Sequence, residues 1–163
     1  MTQVMPLESG EMLKRDYQGQ NCSIARTLEL VGERWSLLIL RDVFRGLRRF
    51  DQLQENLGIA TNILSSRLDR LVEAGILERI RYQERPDRYE YALTGKGREL
   101  RVPLLALMHW GDRHLAPDGP PMLVSHDDCG GTLTAQLVCS DCGPLPVEAH
   151  LRSRPGPGSL ALT

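Results

Sequence analysis

Between residues 50 and 93 the apolar positions change period. Phe50, Leu53 and Leu57 recur at helical spacing, and Gly58 breaks the run. Ile63, Leu64, Leu68, Leu71 and Val72 then line one helical face. Asn62, Ser65, Ser66, Asp69, Arg70 and Glu73 line the other. Thr61 stands where an N-cap hydroxyl is wanted, and Gly75 stands just past the end, where a left-handed residue closes a helix. The pattern predicts a short helix over residues 50–56, a turn at Gly58, and a second helix running from Thr61 to Gly75. The period then shortens to two. Leu77, Arg79, Arg81 and Gln83 alternate with Glu78, Ile80, Tyr82 and Glu84, and Tyr89, Tyr91 and Leu93 alternate with Glu90 and Ala92. Two strands are predicted, over 77–83 and 89–93, joined by the charged tip Glu84-Arg85-Pro86-Asp87-Arg88 with Pro-Asp as turn former.

Helix, turn, helix and hairpin in that order outline a winged helix-turn-helix, which places one helix in the major groove of DNA. The helical pair alone fits an ordinary core hairpin equally well; the strand pair after it moves the reading to DNA. Thr61, Asn62, Ser65, Ser66, Arg67 and Arg70 are the expected contacts from the second helix, and Arg85 and Arg88 from the wing tip. A charged tip is common on any solvated hairpin, so those two arginines add weight only in this context.

Upstream, residues 1–19 are polar and unpatterned and read as a mobile arm. Asn21 is the expected N-cap of a helix that ends at Gly32, with Ile24, Leu28 and Val31 on its apolar face. A second helix over 35–44 carries Leu37, Leu38, Ile39, Leu40, Val43 and Phe44 and is apolar on most sides, as a central core helix should be. Downstream, Thr94 caps a helix expected to reach Leu115, interrupted or kinked near Pro103. Leu100, Leu104, Leu107, Met108 and Gly111 form one stripe, widened by Val102, Leu105, Ala106 and Trp110. That is more apolar surface than one small core covers, and a second copy of the chain is the expected cover.

Charge alters the picture little: the 163 residues carry a formal net charge of -1, so DNA affinity rests on local arginines, not global basicity. No apolar run is long enough to span a membrane, and the start of the chain lacks an apolar signal core. A cytoplasmic location is expected, with the four cysteines reduced, metal-bound or redox-active. No histidine accompanies a nucleophile motif, and no enzymatic activity is expected.

The run CSIARTLELVGERWSLLILRD from Cys22 to Asp42 resembles the opening of HxlR-type bacterial transcriptional regulators, within the MarR-like superfamily. So do Gly46-Leu-Arg-Arg-Phe50, Leu64-Ser-Ser-Arg-Leu68, Leu71-Val-Glu-Ala-Gly75, Tyr89-Glu-Tyr-Ala-Leu-Thr-Gly-Lys-Gly97 and His109-Trp-Gly111. The resemblance covers about residues 20–115. It implies a homodimeric winged-helix protein on double-stranded DNA, acting as repressor or activator. It also implies a sensor role for Cys22, since some members sense electrophiles or oxidants through a cysteine near the N-terminus. The residues themselves place Cys22 at a helix start, where partial positive charge favours the reactive thiolate; a small packing residue is the rival role. The sequence assigns no small-molecule effector.

The segment after Pro117 lies outside that resemblance. His126-Asp-Asp-Cys129-Gly130 and Cys139-Ser-Asp-Cys142-Gly143 are two similar knuckles. His126, Cys129, Cys139 and Cys142 would complete a tetrahedral, structural Zn²⁺ site, with a strand expected within 132–138. Free thiols or a labile disulfide are the rivals, and His150 is a poorer-spaced ligand. The predicted class is α+β, mainly helical. It comprises the arm (1–19), a winged helix-turn-helix domain with a long C-terminal dimerisation helix (20–116), a zinc-ribbon-like appendage (117–152) and a flexible basic tail (153–163). The predicted function is a homodimeric DNA-binding regulator. The alternatives are a winged-helix module for protein partners and a metal-responsive regulator using the C-terminal cysteines.

Overall fold

The computed structural model describes residues 21–159. The arm expected over 1–19 lies outside the described residues. In chain order the elements are α1 (Ser23–Val31), α2 (Ser36–Phe44), α3 (Phe50–Leu57), α4 (Thr61–Glu73), β1 (Leu77–Glu84), β2 (Asp87–Leu93), α5 (Gly95–Glu99), α6 (Arg101–Leu115), β3 (Leu137–Cys139) and β4 (Gly143–Leu145).

The core sits between α2, α3, α4 and the base of the β1–β2 hairpin. Ile39 and Leu40 of α2 are fully buried, as are Leu53 of α3 and Leu64, Leu68 and Leu71 of α4. Ile76, Leu77 and Tyr91 close the cluster from the hairpin side. Burying each such aliphatic side chain is worth about 1.5–3 kcal/mol. Tyr91 brings its hydroxyl along; burial pushes its phenol pKa up, with Arg79 opposing and Asp69 adding to the rise.

The hairpin is antiparallel, pairing Leu77 with Leu93 and Arg79 with Tyr91, with an irregularity between Arg81 and Gln83. Arg48 and Arg49 add to its free edge. Arg49 bridges Glu90, and the Tyr91 N–H donates to the Arg48 carbonyl at 2.8 Å. The chain entering α3 is thereby fixed against the wing, a pairing that two residues are too few to signal in sequence.

Several local expectations need correction. The N-cap of α1 is Cys22, not Asn21. Asn21 is engaged elsewhere, accepting from Arg26 at 2.7 Å and donating to the Gly158 carbonyl at 2.8 Å. The N-cap of α4 is Ala60, and Thr61 is the first helical residue. The Thr61 hydroxyl is taken by the Gln54 amide at 2.7 Å, which ties α3 to α4 instead of capping a backbone N–H. The helix after the wing breaks at Leu100, between α5 and α6. Pro103 lies in the first turn of α6, where its missing N–H has no helical acceptor to lose. On α1 the buried positions are Ala25 and Val31, while Ile24 is 71% exposed. Over 132–138 no continuous strand forms: Thr132 makes one bridge to Ser125, and β3 starts at Leu137.

Thr94 does cap α5, accepting from the Gly97 N–H at 3.0 Å. Its hydroxyl also reaches the Gly75 carbonyl at 2.7 Å, knotting the start of α5 to the end of α4.

Candidate nucleic-acid interface

Leu64, Leu68 and Leu71 fix the rotation of α4 by being fully buried. The helical period then leaves Thr61, Asn62, Ser65 and Ser66 exposed together on its N-terminal half. Gly58 makes the turn before it with φ +60, the left-handed conformation a glycine adopts without a Cβ penalty. Gln52 caps α3, its carbonyl oxygen accepting from the Arg48 N–H at 3.2 Å and the Arg49 N–H at 3.1 Å.

Arg67 and Arg70 point elsewhere. Both reach Glu33, between α1 and α2: Arg67 donates to one carboxylate oxygen at 2.9 Å and Arg70 to the other at 3.3 Å. Arg70 also donates to the Glu29 carbonyl at 3.1 Å. The exposed N-terminal half of α4 is therefore uncharged and polar, and Arg67 and Arg70 tie the helix to Glu33.

At the wing tip Arg85 and Arg88 are exposed. Neither makes an ion pair among the described residues, whereas Arg81 pairs with Asp87. The Gln83 amide donates to the Arg85 carbonyl at 2.9 Å and braces the tip. Lower down, Arg79 lies over the Tyr89 ring at 3.8 Å and Arg49 over Tyr82 at 4.6 Å, the second contact joining the wing to the start of α3.

The residue that sequence reasoning missed is Asp42. Its carboxylate is fully buried in α2. It accepts from Arg41 Nε at 2.8 Å and from the Asn56 amide at 2.7 Å, with Arg45 at 3.7 Å. The Leu47 N–H also donates to the Asp42 carbonyl at 3.0 Å. Asp42 thus sets α3 on α2. The available signal was an acidic residue inside an otherwise apolar helix.

Cys22 is exposed at the N-cap of α1. Beside it, Ser23, Ile24, Thr27 and Leu28 line a shallow, mostly apolar hollow. The four proposed metal ligands stand as two pairs. His126 Nδ1 lies 3.4 Å from Cys129 Sγ, and Cys139 and Cys142 bracket the turn between β3 and β4. His126 Nε2 also lies 3.6 Å from Asp128, but among the described residues no three histidine, cysteine or acidic side chains are arranged to hold a metal ion. No described helix is long and apolar enough to cross a membrane.

The model of the HxlR-like helix-turn-helix family matches residues 30–119. An HTH-type transcriptional regulator of Mycobacterium tuberculosis is 47% identical over 150 residues, covering 91% of this chain and 94% of its own. That alignment extends well past residue 119 into the cysteine-bearing segment. Among solved structures, the transcription factor PA1607 is 39% identical, with a TM-score of 0.73, over 84% of this chain and 97% of its own. The redox regulator HypR in its reduced form is 28% identical, with a TM-score of 0.54, over 56% of this chain and 92% of its own.

Proposed function

The chain belongs to the HxlR-like helix-turn-helix family of transcriptional regulators, and from that premise we propose that it binds operator DNA as a homodimer, with α4 in the major groove and the β1–β2 wing on the flanking backbone. The observation that carries this reading is the exposed group Thr61, Asn62, Ser65 and Ser66 at the start of α4. Recognition helices contact base edges with their N-terminal residues. An asparagine amide matches the paired donor and acceptor of adenine, and serine or threonine hydroxyls serve either role. Arg85 and Arg88 supply phosphate contacts that position the protein without reading sequence. A second copy accounts for the apolar surface left outside the core: Ile24 on α1, and Leu107 and Trp110 on α6, the latter two 54% and 52% exposed.

A mobility shift on promoter fragments, repeated at several salt concentrations, tests the reading. Binding that weakens steeply with salt, yet keeps preference for particular fragments, is expected. No shift at low salt would favour the protein-partner module.

Cys22 enters as the sensor of an oxidant or electrophile. It is exposed at the N-cap of α1, beside the outward apolar residues Ile24 and Leu28, so a modified sulfur there would sit at the proposed subunit contact. HypR, a redox regulator, shares the fold. Cys22→Ser should bind DNA like the parent and lose its response to peroxide or quinone. An unchanged response in that variant would return Cys22 to packing.

A further inference from the structure

Beyond α6 the chain has no buried residue as far as Ser159. Leu123, Leu137, Val138, Val147 and Leu151 are all exposed. The backbone over residues 123–145 is nevertheless specific. The Leu133 N–H donates to the Val124 carbonyl and the His126 N–H to the Gly131 carbonyl, both at 2.8 Å. Further on, β3 and β4 pair with Cys139 opposite Gly143. Apolar burial does not supply the free energy to order such a segment, and small units of this kind are held by a staple.

The segment contains the same turn twice. His126 and Cys129 lie two residues apart and are followed by Gly130 at φ +69; Cys139 and Cys142 repeat the spacing and are followed by Gly143 at φ +79. Each turn is closed by cross-strand pairing, Ser125 with Thr132 and β3 with β4. Within the first turn the two donor side chains already meet, His126 Nδ1 with Cys129 Sγ at 3.4 Å.

We propose that His126, Cys129, Cys139 and Cys142 together bind one Zn²⁺ as a structural site, each turn supplying half of a tetrahedral shell. Three thiolates and one imidazole are a standard closed set for this ion, with no position left for water. The two halves are separate among the described residues, and the ion draws them face to face. Residues 134–136 between them lie outside helix and strand. Binding involves no redox change. Three thiols lose their protons to solvent, the imidazole binds neutral, and the complex carries one negative charge. The loop is already tied to α6, where the Ala135 N–H donates to His109 Nδ1 at 3.2 Å. Metal binding therefore fixes the appendage against that helix.

The test uses the full chain, purified without chelator, incubated with zinc chloride and desalted. Elemental analysis should give about one zinc per chain. Cys22 alone of the four cysteines should then react fast with a thiol reagent, and chelation should expose the other three. Cys139→Ser and Cys129→Ser should each reduce zinc retention at least about tenfold while leaving residues 23–115 protease-resistant. Cobalt(II) in place of zinc should show tetrahedral bands with thiolate charge transfer, altered by His126→Ala. Zinc retained at full stoichiometry by Cys129→Ser would overturn the four-ligand site. So would negligible zinc together with four equally reactive thiols, or with a Cys139–Cys142 disulfide formed in air.

Discussion

Glu33 Oε2 accepts a hydrogen bond from Arg67 Nη2 at 2.9 Å, across the gap between the α1–α2 link and α4. The same carboxylate takes Arg70 on its other oxygen. One acidic residue outside the helix-turn-helix thus holds two of the cations that a reader would assign to DNA. Arg70 is 44% exposed and Arg67 only 19%; surface pairs are worth about 0–1 kcal/mol each, so much of the effect is on where charge is presented.

Glu33→Ala removes both pairs and should therefore cost no more than about 2 kcal/mol of stability. It should raise affinity for non-specific duplex and steepen the salt dependence by about one or two in the log–log slope, as the guanidinium groups are released to phosphates. Fluorescence anisotropy with random-sequence DNA at several salt concentrations measures both. Weaker non-specific binding by the variant would mean that the pair serves DNA binding in some other way.

Gly97 carries a steric requirement. A Cβ at that position would stand 2.1 Å from the Ile76 carbonyl oxygen, which belongs to the backbone and cannot swing aside. Gly97→Ala should destabilise the fold by on the order of 3 kcal/mol, the upper range for overpacking. Thermal unfolding followed by circular dichroism measures it. A variant within about 0.5 kcal/mol of the parent would show that α5 shifts freely away from β1, against the close packing described.

The winged helix was legible because its apolar positions obey one period at a time. Leu64, Leu68 and Leu71 are spaced for a helix face, and the strand alternation places Leu77 and Tyr91 inside. Caps were less legible. Asn21 and Thr61 both have the chemistry of a cap, and both spend it on other partners, Asn21 on Arg26 and the distant Gly158 and Thr61 on Gln54 of the preceding helix, which a capping rule does not see. The contact list on α4 shows the same limit. Helical spacing identifies which side chains face outward, but not that Arg67 and Arg70 have Glu33 within reach. The buried Asp42 was missed because its partner Asn56 belongs to a different helix.

The proposed subunit contact yields a prediction that separates assembly from folding. Ile24 and Leu107 are 71% and 54% exposed in the single chain, so charging them costs the monomer little. Ile24→Glu combined with Leu107→Glu should leave the unfolding temperature of the core near the parent's and convert a dimer to a monomer at micromolar concentration, read by analytical ultracentrifugation. A dimer persisting in the double variant would place the contact on another surface.

The central claim is that α4 reads bases while the wing holds backbone. It is tested most directly by measuring the full sequence-preference profile of the parent, of Asn62→Ala with Ser66→Ala, and of Arg85→Ala with Arg88→Ala, from randomised DNA libraries at two salt concentrations. The α4 variant should lose preference at specific base positions, each worth about 1–3 kcal/mol, with its salt slope nearly unchanged. The wing variant should keep the parent's preferred sequence, bind all sequences more weakly, and show a slope reduced by about one per arginine. Equal loss of sequence preference in both variants, or an unaltered profile in the α4 variant, would contradict the assignment.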